Sequence, residues 1–270
     1  MTKALSIHIG INHVDPDHYE GWDGKLFACE ADAKDMRALA KKQGFSQSTL
    51  LLSQQGSTAA VTAAINDAAK KLGKGDLLFL TYSGHGGQVR DTNGDEADKD
   101  RMDETWVLFD RQLVDDELYD MWSKFKPGVR ILVLSDSCHS GTVVRDVPDF
   151  ISGGPRRRAM PRSVGEKVEK AHRALYRSIQ KAHPGSEDAK VRASVLLISG
   201  CMDNQFSMDG EKNGAFTGTL KTVWANGKFP GTYRKFRDKI VSLMSSDQTP
   251  NYYFVGAQNA TFEGQKPFTI

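Results

Sequence analysis

Seven short apolar runs rich in β-branched residues recur along the chain, and this repetition constrains its fold more than any other feature. They are Ala4–Ile11, Thr49–Leu52, Asp76–Tyr82, Trp106–Phe109, Arg130–Ser135, Ser194–Ser199 and Tyr252–Val255. Runs that are apolar on both alternating faces read as buried strands rather than as strands with one wet face. Between them lie stretches of helical periodicity, about Glu30–Gln43, Thr58–Leu72, Asp115–Lys124, Val164–Lys181, Gly214–Ala225 and Tyr233–Ser245. Strand and helix in alternation predict an α/β fold with a largely parallel sheet covered on both faces. Two segments break the rhythm: the acidic stretch Arg90–Glu104, and Phe150–Ser163, whose Gly, Pro and Arg content predicts an exposed loop or linker.

With 270 residues the chain can bury a substantial core. A formal net charge of +2 gives no global basic field, so nucleic acid is not expected as a partner. The opening segment has no signal-peptide pattern and no run approaches the roughly 18 apolar residues of a membrane span. Cys29, Cys138 and Cys201 form no CxxC pair, so neither a disulfide framework nor a thiolate zinc site is expected. A cytoplasmic location follows as the expectation, and there a lone cysteine in a polar motif is a candidate nucleophile.

Ligands of open parallel sheets bind beyond the carboxyl ends of the strands. Two predicted strands end in reactive residues there: LLFLTYS runs into Gly84-His85-Gly86-Gly87, and RILVLSDS runs into Cys138-His139-Ser140-Gly141. Glycines beside His85 let the backbone approach a ligand closely. Backbone N–H groups around Cys138 would favour a thiolate that attacks a carbonyl, with His85 protonating the leaving amine. The N–H groups of Gly86 and Cys138 are the natural oxyanion donors. Taken singly, His85 reads as structural and Cys138 as a small core hydrophobe; it is their joint placement in two Gly/Ser-rich turns that favours catalysis. His139 follows Cys138 directly, so its side chain should diverge from the sulfur.

These blocks resemble type I metacaspases and, more closely, the bacterial orthocaspases. IHIGIN, FACEADAKDM, FLTYSGHGGQ, NGDEADKDRMDE, LVDDELYD, LVLSDSCHSGT, SGCMDNQFSMD with NGAFTGTL, and QTPNYYFVG carry the likeness, from about Ser6 to Val255. The spacing from His85 to Cys138 matches the roughly 50 residues that separate the pair in caspases. The caspase Q-A-C-R/Q-G signature is absent, since this chain reads Ser135-Asp136-Ser137-Cys138-His139-Ser140-Gly141. The resemblance implies a single caspase–haemoglobinase-like domain over residues 1–270, a mostly parallel central sheet flanked by helices. Residues 1–148 correspond to a large-subunit-like part, 149–192 to a linker or processing segment, and 193–270 to a small-subunit-like part. It implies a monomeric cysteine endopeptidase acting on proteins after Arg or Lys, with no redox or nucleotide cofactor.

Asp136 lies two positions before Cys138, and Ser83 two before His85, so each should share its partner's side of the strand end. In metacaspases a pocket for a basic P1 residue resembles this arrangement and is completed by a C-x-x-D block, matched here by Cys29 and Asp32. Two carboxylates around one cavity would suit the planar fork of Arg. The bland alternatives are a helix-dipole role for Asp32 and a turn cap for Asp136. Asp91–Asp95 fails the EF-hand pattern, with Glu96 at the sixth position and Met102 at the twelfth. The resemblance nevertheless brings calcium into view, with Asp100, Asp115, Asp116 and Asp146 as candidates. Arg156, Arg157, Arg158 and Arg162 are candidate self-processing sites, Arg162 less so beside Pro161 and a predicted helix; a solvated basic loop is the alternative. Two rivals remain: a caspase-like scaffold without catalysis, and a calcium-responsive binding module.

Overall fold

The computed structural model describes residues 2–94, 101–138, 156–184, 190–202, 205 and 207–270. Six strands form one sheet in the order β2 (Gln47–Leu52), β1 (Ala4–Gly10), β3 (Leu77–Ser83), β7 (Arg130–Asp136), β8 (Ser194–Ser199), β9 (Asn251–Gly256). All neighbours are parallel except β8 and β9, which run antiparallel. The mostly parallel α/β sheet expected from the sequence is present. Its direction change at β9 had no signal in a strand pattern that reads the same in either direction. β7 and β8 come from the two predicted parts of the chain and pair along their length, which makes one sheet of both.

Alternation along the central strands sorts their side chains onto two cores. Leu5, Ile7, Ile9, Leu78, Leu80, Ile131 and Val133 face α2 (Thr58–Lys71), α3 (Asp115–Ser123), α4 (Arg162–Ala171) and α5 (Arg173–Ala182). Phe79, Leu132, Leu134, Leu196 and Ile198 face α1 (Cys29–Lys42), α6 (Ala215–Trp224), α7 (Tyr233–Val241) and α8 (Ala260–Gly264). The predicted helix Val164–Lys181 is two helices, interrupted at His172, where φ −110° and ψ 23° leave the helical region.

A second, antiparallel sheet joins β4 (Gly86–Arg90), β5 (Met102–Val107) and β6 (Gln112–Val114). The sequence pointed only to part of β5. β4 is built from GGQVR, whose two glycines lack strand propensity, so its extended form depends on pairing with β5 rather than on its own residues. This small sheet begins one residue after His85 and thereby fixes the turn that carries it.

Candidate active site

Parallel pairing of β3 with β7 sets Ser83 directly opposite Asp136, so both strands release their chains at the same carboxyl edge. Beyond that edge β3 continues into Gly84-His85 and β7 into Ser137-Cys138. His85 is buried, with its ring 4.8 Å from the Trp22 indole. Its Nε2 lies 3.0 Å from the Gly24 carbonyl oxygen. A carbonyl can only accept, so Nε2 carries the proton and Nδ1 keeps its lone pair. Nδ1 is buried without a hydrogen-bond partner, which leaves it available as a base. Burial lowers the His85 pKa to about 4, outweighing the raising effect of Gly24.

The Cys138 sulfur sits 2.7 Å from Cys201 Sγ and 3.0 Å from the Gln205 carbonyl oxygen, and it accepts the Ser207 N–H. Burial, reinforced by Cys201, raises its pKa well above the ordinary thiol value. The thiolate that the sequence suggested is therefore not favoured in this closed arrangement: burial and the neighbouring Cys201 thiol outweigh one backbone donor. Burial holds both the imidazole and the thiol toward their neutral forms.

The pocket expected for a basic residue holds one, and it is the chain's own. Arg158 is 0% exposed. Its guanidinium makes ion pairs with Asp32 at 2.7 Å, Asp136 at 2.9 Å and Asp209 at 3.0 Å, and donates to Ser83 Oγ at 2.8 Å. Ser83 in turn donates to Asp32 at 2.8 Å. Burial alone would lower the pKa of Arg158, but Asp136, Cys29, Asp32 and Asp209 together hold it well above its ordinary value. Gly214 lies flat beneath the guanidinium; a Cβ there would come within 2.6 Å of it, so only glycine admits the side chain.

The backbone around Arg158 is bound as an added strand. Its N–H donates to Ser207 O at 2.8 Å, and Asp209 N–H donates to Arg156 O at 2.7 Å. The Arg158 carbonyl oxygen accepts from Gly86 N–H at 3.0 Å and Cys138 N–H at 3.1 Å. Those are the two donors expected to hold an oxyanion. The exposed loop predicted for this stretch is thus corrected over residues 156–160. Composition suggested solvent, but three buried carboxylates make the interior the better place for this cation.

Of the remaining expected residues, Cys29 is buried at the first position of α1, and burial raises its thiol pKa. Arg156 is held at the surface by the Lys25 carbonyl at 2.7 Å and the Phe27 ring at 4.6 Å. Arg157 pairs with Met208, and Arg162 opens α4 with an exposed pair to Glu166 at 2.9 Å. Of the calcium candidates, Asp100 and Asp146 lie outside the described residues. Asp115 and Asp116 open α3, and Asp116 accepts from Asn93 at 3.1 Å. Among the described residues no group of three or more acidic, histidine or cysteine side chains is arranged to hold a metal. Asp209 was not singled out from the sequence. It belongs to the quoted SGCMDNQFSMD block, but nothing local marks it, because it reaches Arg158 only through the fold.

A family model described as Caspase domain matches residues 8–262. Metacaspase-1 of Mycosarcoma maydis is 28% identical over 281 residues, covering 90% of this chain and 68% of the relative. Metacaspase-1 of Kluyveromyces lactis is 32% identical over 260 residues, covering 83% of this chain but only 58% of that relative. A crystal structure of a Geobacter sulfurreducens protein superposes with a TM-score of 0.89 at 52% identity, over 99% of this chain and 98% of that one. Caspase-1 of Spodoptera frugiperda superposes with a TM-score of 0.52 at 12% identity, over 94% and 86% of the chains, a likeness of fold alone.

Proposed function

Because this chain belongs to the caspase-domain family of cysteine peptidases, we propose that it is an endopeptidase that cuts after Arg or Lys and that Arg158–Ala159 is its first substrate bond. Cys138 is the nucleophile and His85 Nδ1 the acid/base. Gly86 and Cys138 N–H groups form the oxyanion hole, and Asp32, Asp136 and Asp209 with Ser83 and Cys29 form the P1 pocket. One observation supports this most: a single residue, Arg158, puts its side chain among the carboxylates and its carbonyl on both N–H donors.

In acylation the Cys138 sulfur bonds to the Arg158 carbonyl carbon while its proton passes through His85 to the Ala159 nitrogen, which leaves as an amine. The oxyanion strengthens its two backbone hydrogen bonds as charge develops. A water deprotonated by His85 then cleaves the thioester. These steps call on no cofactor. We take the partners to be proteins with accessible basic residues and the chain to work as a monomer in the cytoplasm. No helix among the described residues is long and apolar enough to cross a membrane.

The reading is tested on a peptide library varied at P1, alongside mass spectrometry of the aged protein. Cleavage after Arg and Lys, and fragments of about 17 and about 12 kDa from the 29.8 kDa chain, are expected. Cys138→Ala should stay intact and inactive. Preference for Asp at P1, or activity retained by Cys138→Ala, would overturn the assignment. A folded, calcium-responsive protein with no proteolysis would favour the scaffold reading.

A further inference from the structure

Breaking the Arg158–Ala159 bond would not free either new end. On the amine side, Ala159 bridges to Gly86, and Met160 N–H donates to Gly86 O at 2.8 Å. Met160 is only 5% exposed and packs into the same core as Val168, Tyr176 and Ile179. A Cβ on Gly87 would lie 3.0 Å from the Met160 methyl, so the glycine makes room for it. The helices that follow are tied down independently: Gln180 Nε2 donates to Arg90 O at 2.9 Å, and Tyr176 Oη bonds His18 Nε2 at 3.1 Å. On the acyl side, Arg158 is gripped by three carboxylates and its N–H by Ser207 O, and its chain runs back to Cys138 itself.

We propose that this site also forms the bond it cuts, acting in cis as a peptide ligase that reseals Arg158–Ala159. This rests on Arg158–Ala159 being the scissile bond. In the sealing step the neutral Ala159 amine attacks the Arg158 thioester carbonyl. The C–N bond forms, the C–S bond breaks, and the amine proton passes through His85 Nδ1 to the departing sulfur. After full hydrolysis the reverse begins with the protonated Arg158 carboxyl: Cys138 displaces water from it to restore the thioester. Well-oriented intramolecular reactants reach effective concentrations of about 10⁵ to 10⁸ M, and here both reactants are held by the fold rather than by the bond between them. Water must enter where Ala159 sits. The cut chain and the sealed chain therefore interconvert as long as Met160 stays docked.

Oxygen-18 water reads the cycle directly. Wild-type protein is incubated in it, quenched in denaturing acid and digested with a protease that ignores basic residues, and the uncut peptide spanning Arg158–Ala159 is weighed. The expected result is one oxygen-18 accumulating in the uncut wild-type peptide with time, and none in Cys138→Ala. Met160→Ala, checked for cooperative unfolding, should shift the balance several-fold toward cut chain and reduce label in the uncut peptide. Label in the Arg158 carboxylate of cut chain but never in the uncut peptide would overturn resealing and leave self-cleavage standing. No cut and no label in an enzyme active on added peptides would remove the scissile-bond reading as well.

Discussion

A guanidinium removed from water is tolerated only when acceptors replace its hydration, and Arg158 meets Asp32, Asp136, Asp209 and Ser83 in a shell that no solvent reaches. The converse matters as much: without the cation, three carboxylates face one another in a buried pocket. Burial raises the Asp32 pKa, opposed by Arg158 and reinforced by Asp136. Arg158→Ala should therefore cost about 3–5 kcal/mol at neutral pH, less whatever water entering the pocket restores. A carboxylate whose folded pKa exceeds its unfolded value binds more protons when folded, so its burden on stability eases as pH falls. The gap between wild type and Arg158→Ala should narrow from pH 8 to pH 5 in urea unfolding. A gap independent of pH would show that the carboxylates are not crowded. The sequence marked Asp32 and Asp136 through their places near Cys29 and Cys138; the charge balance that makes Arg158 buried was legible only once all three acids were in place.

At the scale of elements, the pocket and α6 are one device. Asp136 Oδ2 accepts from Thr217 N–H at 3.1 Å and Thr217 Oγ1 at 2.7 Å, while Asp32 accepts from Gly214 N–H at 3.1 Å. The carboxylates thus satisfy the free donors at the start of α6 and sit at its positive end. The proposed hold of Asp136 on a basic substrate and its hold on α6 can be separated by Asp136→Asn, whose amide oxygen still accepts from Thr217 while its NH₂ turns to Ser207 Oγ. We expect kcat/KM for Arg peptides to fall on the order of 10² or more. Because Arg158 fills the same pocket, the intact chain should lose stability as well, whereas in the Arg158→Ala background the added Asp136→Asn should not lower the unfolding midpoint. A large loss of stability with unchanged specificity would assign Asp136 to the fold alone. Helices α1, α2, α3, α6 and α7 were legible because their apolar spacing repeats at 3.6 residues. β4 and β6 were not, because short strands without apolar runs are made by their partners.

For the whole molecule, acid is the condition that reveals which histidines the fold has enclosed. Burial lowers the His8 pKa to about 3, with Arg37 adding to it, and the His85 pKa to about 4. Both groups take up protons more readily in the unfolded chain. Their contribution is complete above the unfolded value near 6.5 and is lost as pH falls toward the folded values. At pH 5.5 each should cost about 1.4 kcal/mol relative to high pH. Thermal unfolding should therefore show stability falling between pH 7 and 5, and His8→Gln should flatten that slope. An unchanged slope would mean that His8 is not held neutral.

The strand-and-helix alternation determined the α/β layering, because a strand apolar on both faces has to be covered on both. The two strand runs that end at Gly84-His85 and Ser137-Cys138 determined that these residues leave the sheet at one edge, because parallel strands bring their carboxyl ends together. Only the tertiary structure decided that the basic segment after Cys138 turns inward. That outcome needs Asp32, Asp136 and Asp209 from three distant segments to converge on one guanidinium, and Gly214 to leave it room. The energy of a buried charge depends on everything around it at once, and no stretch of sequence contains its own surroundings.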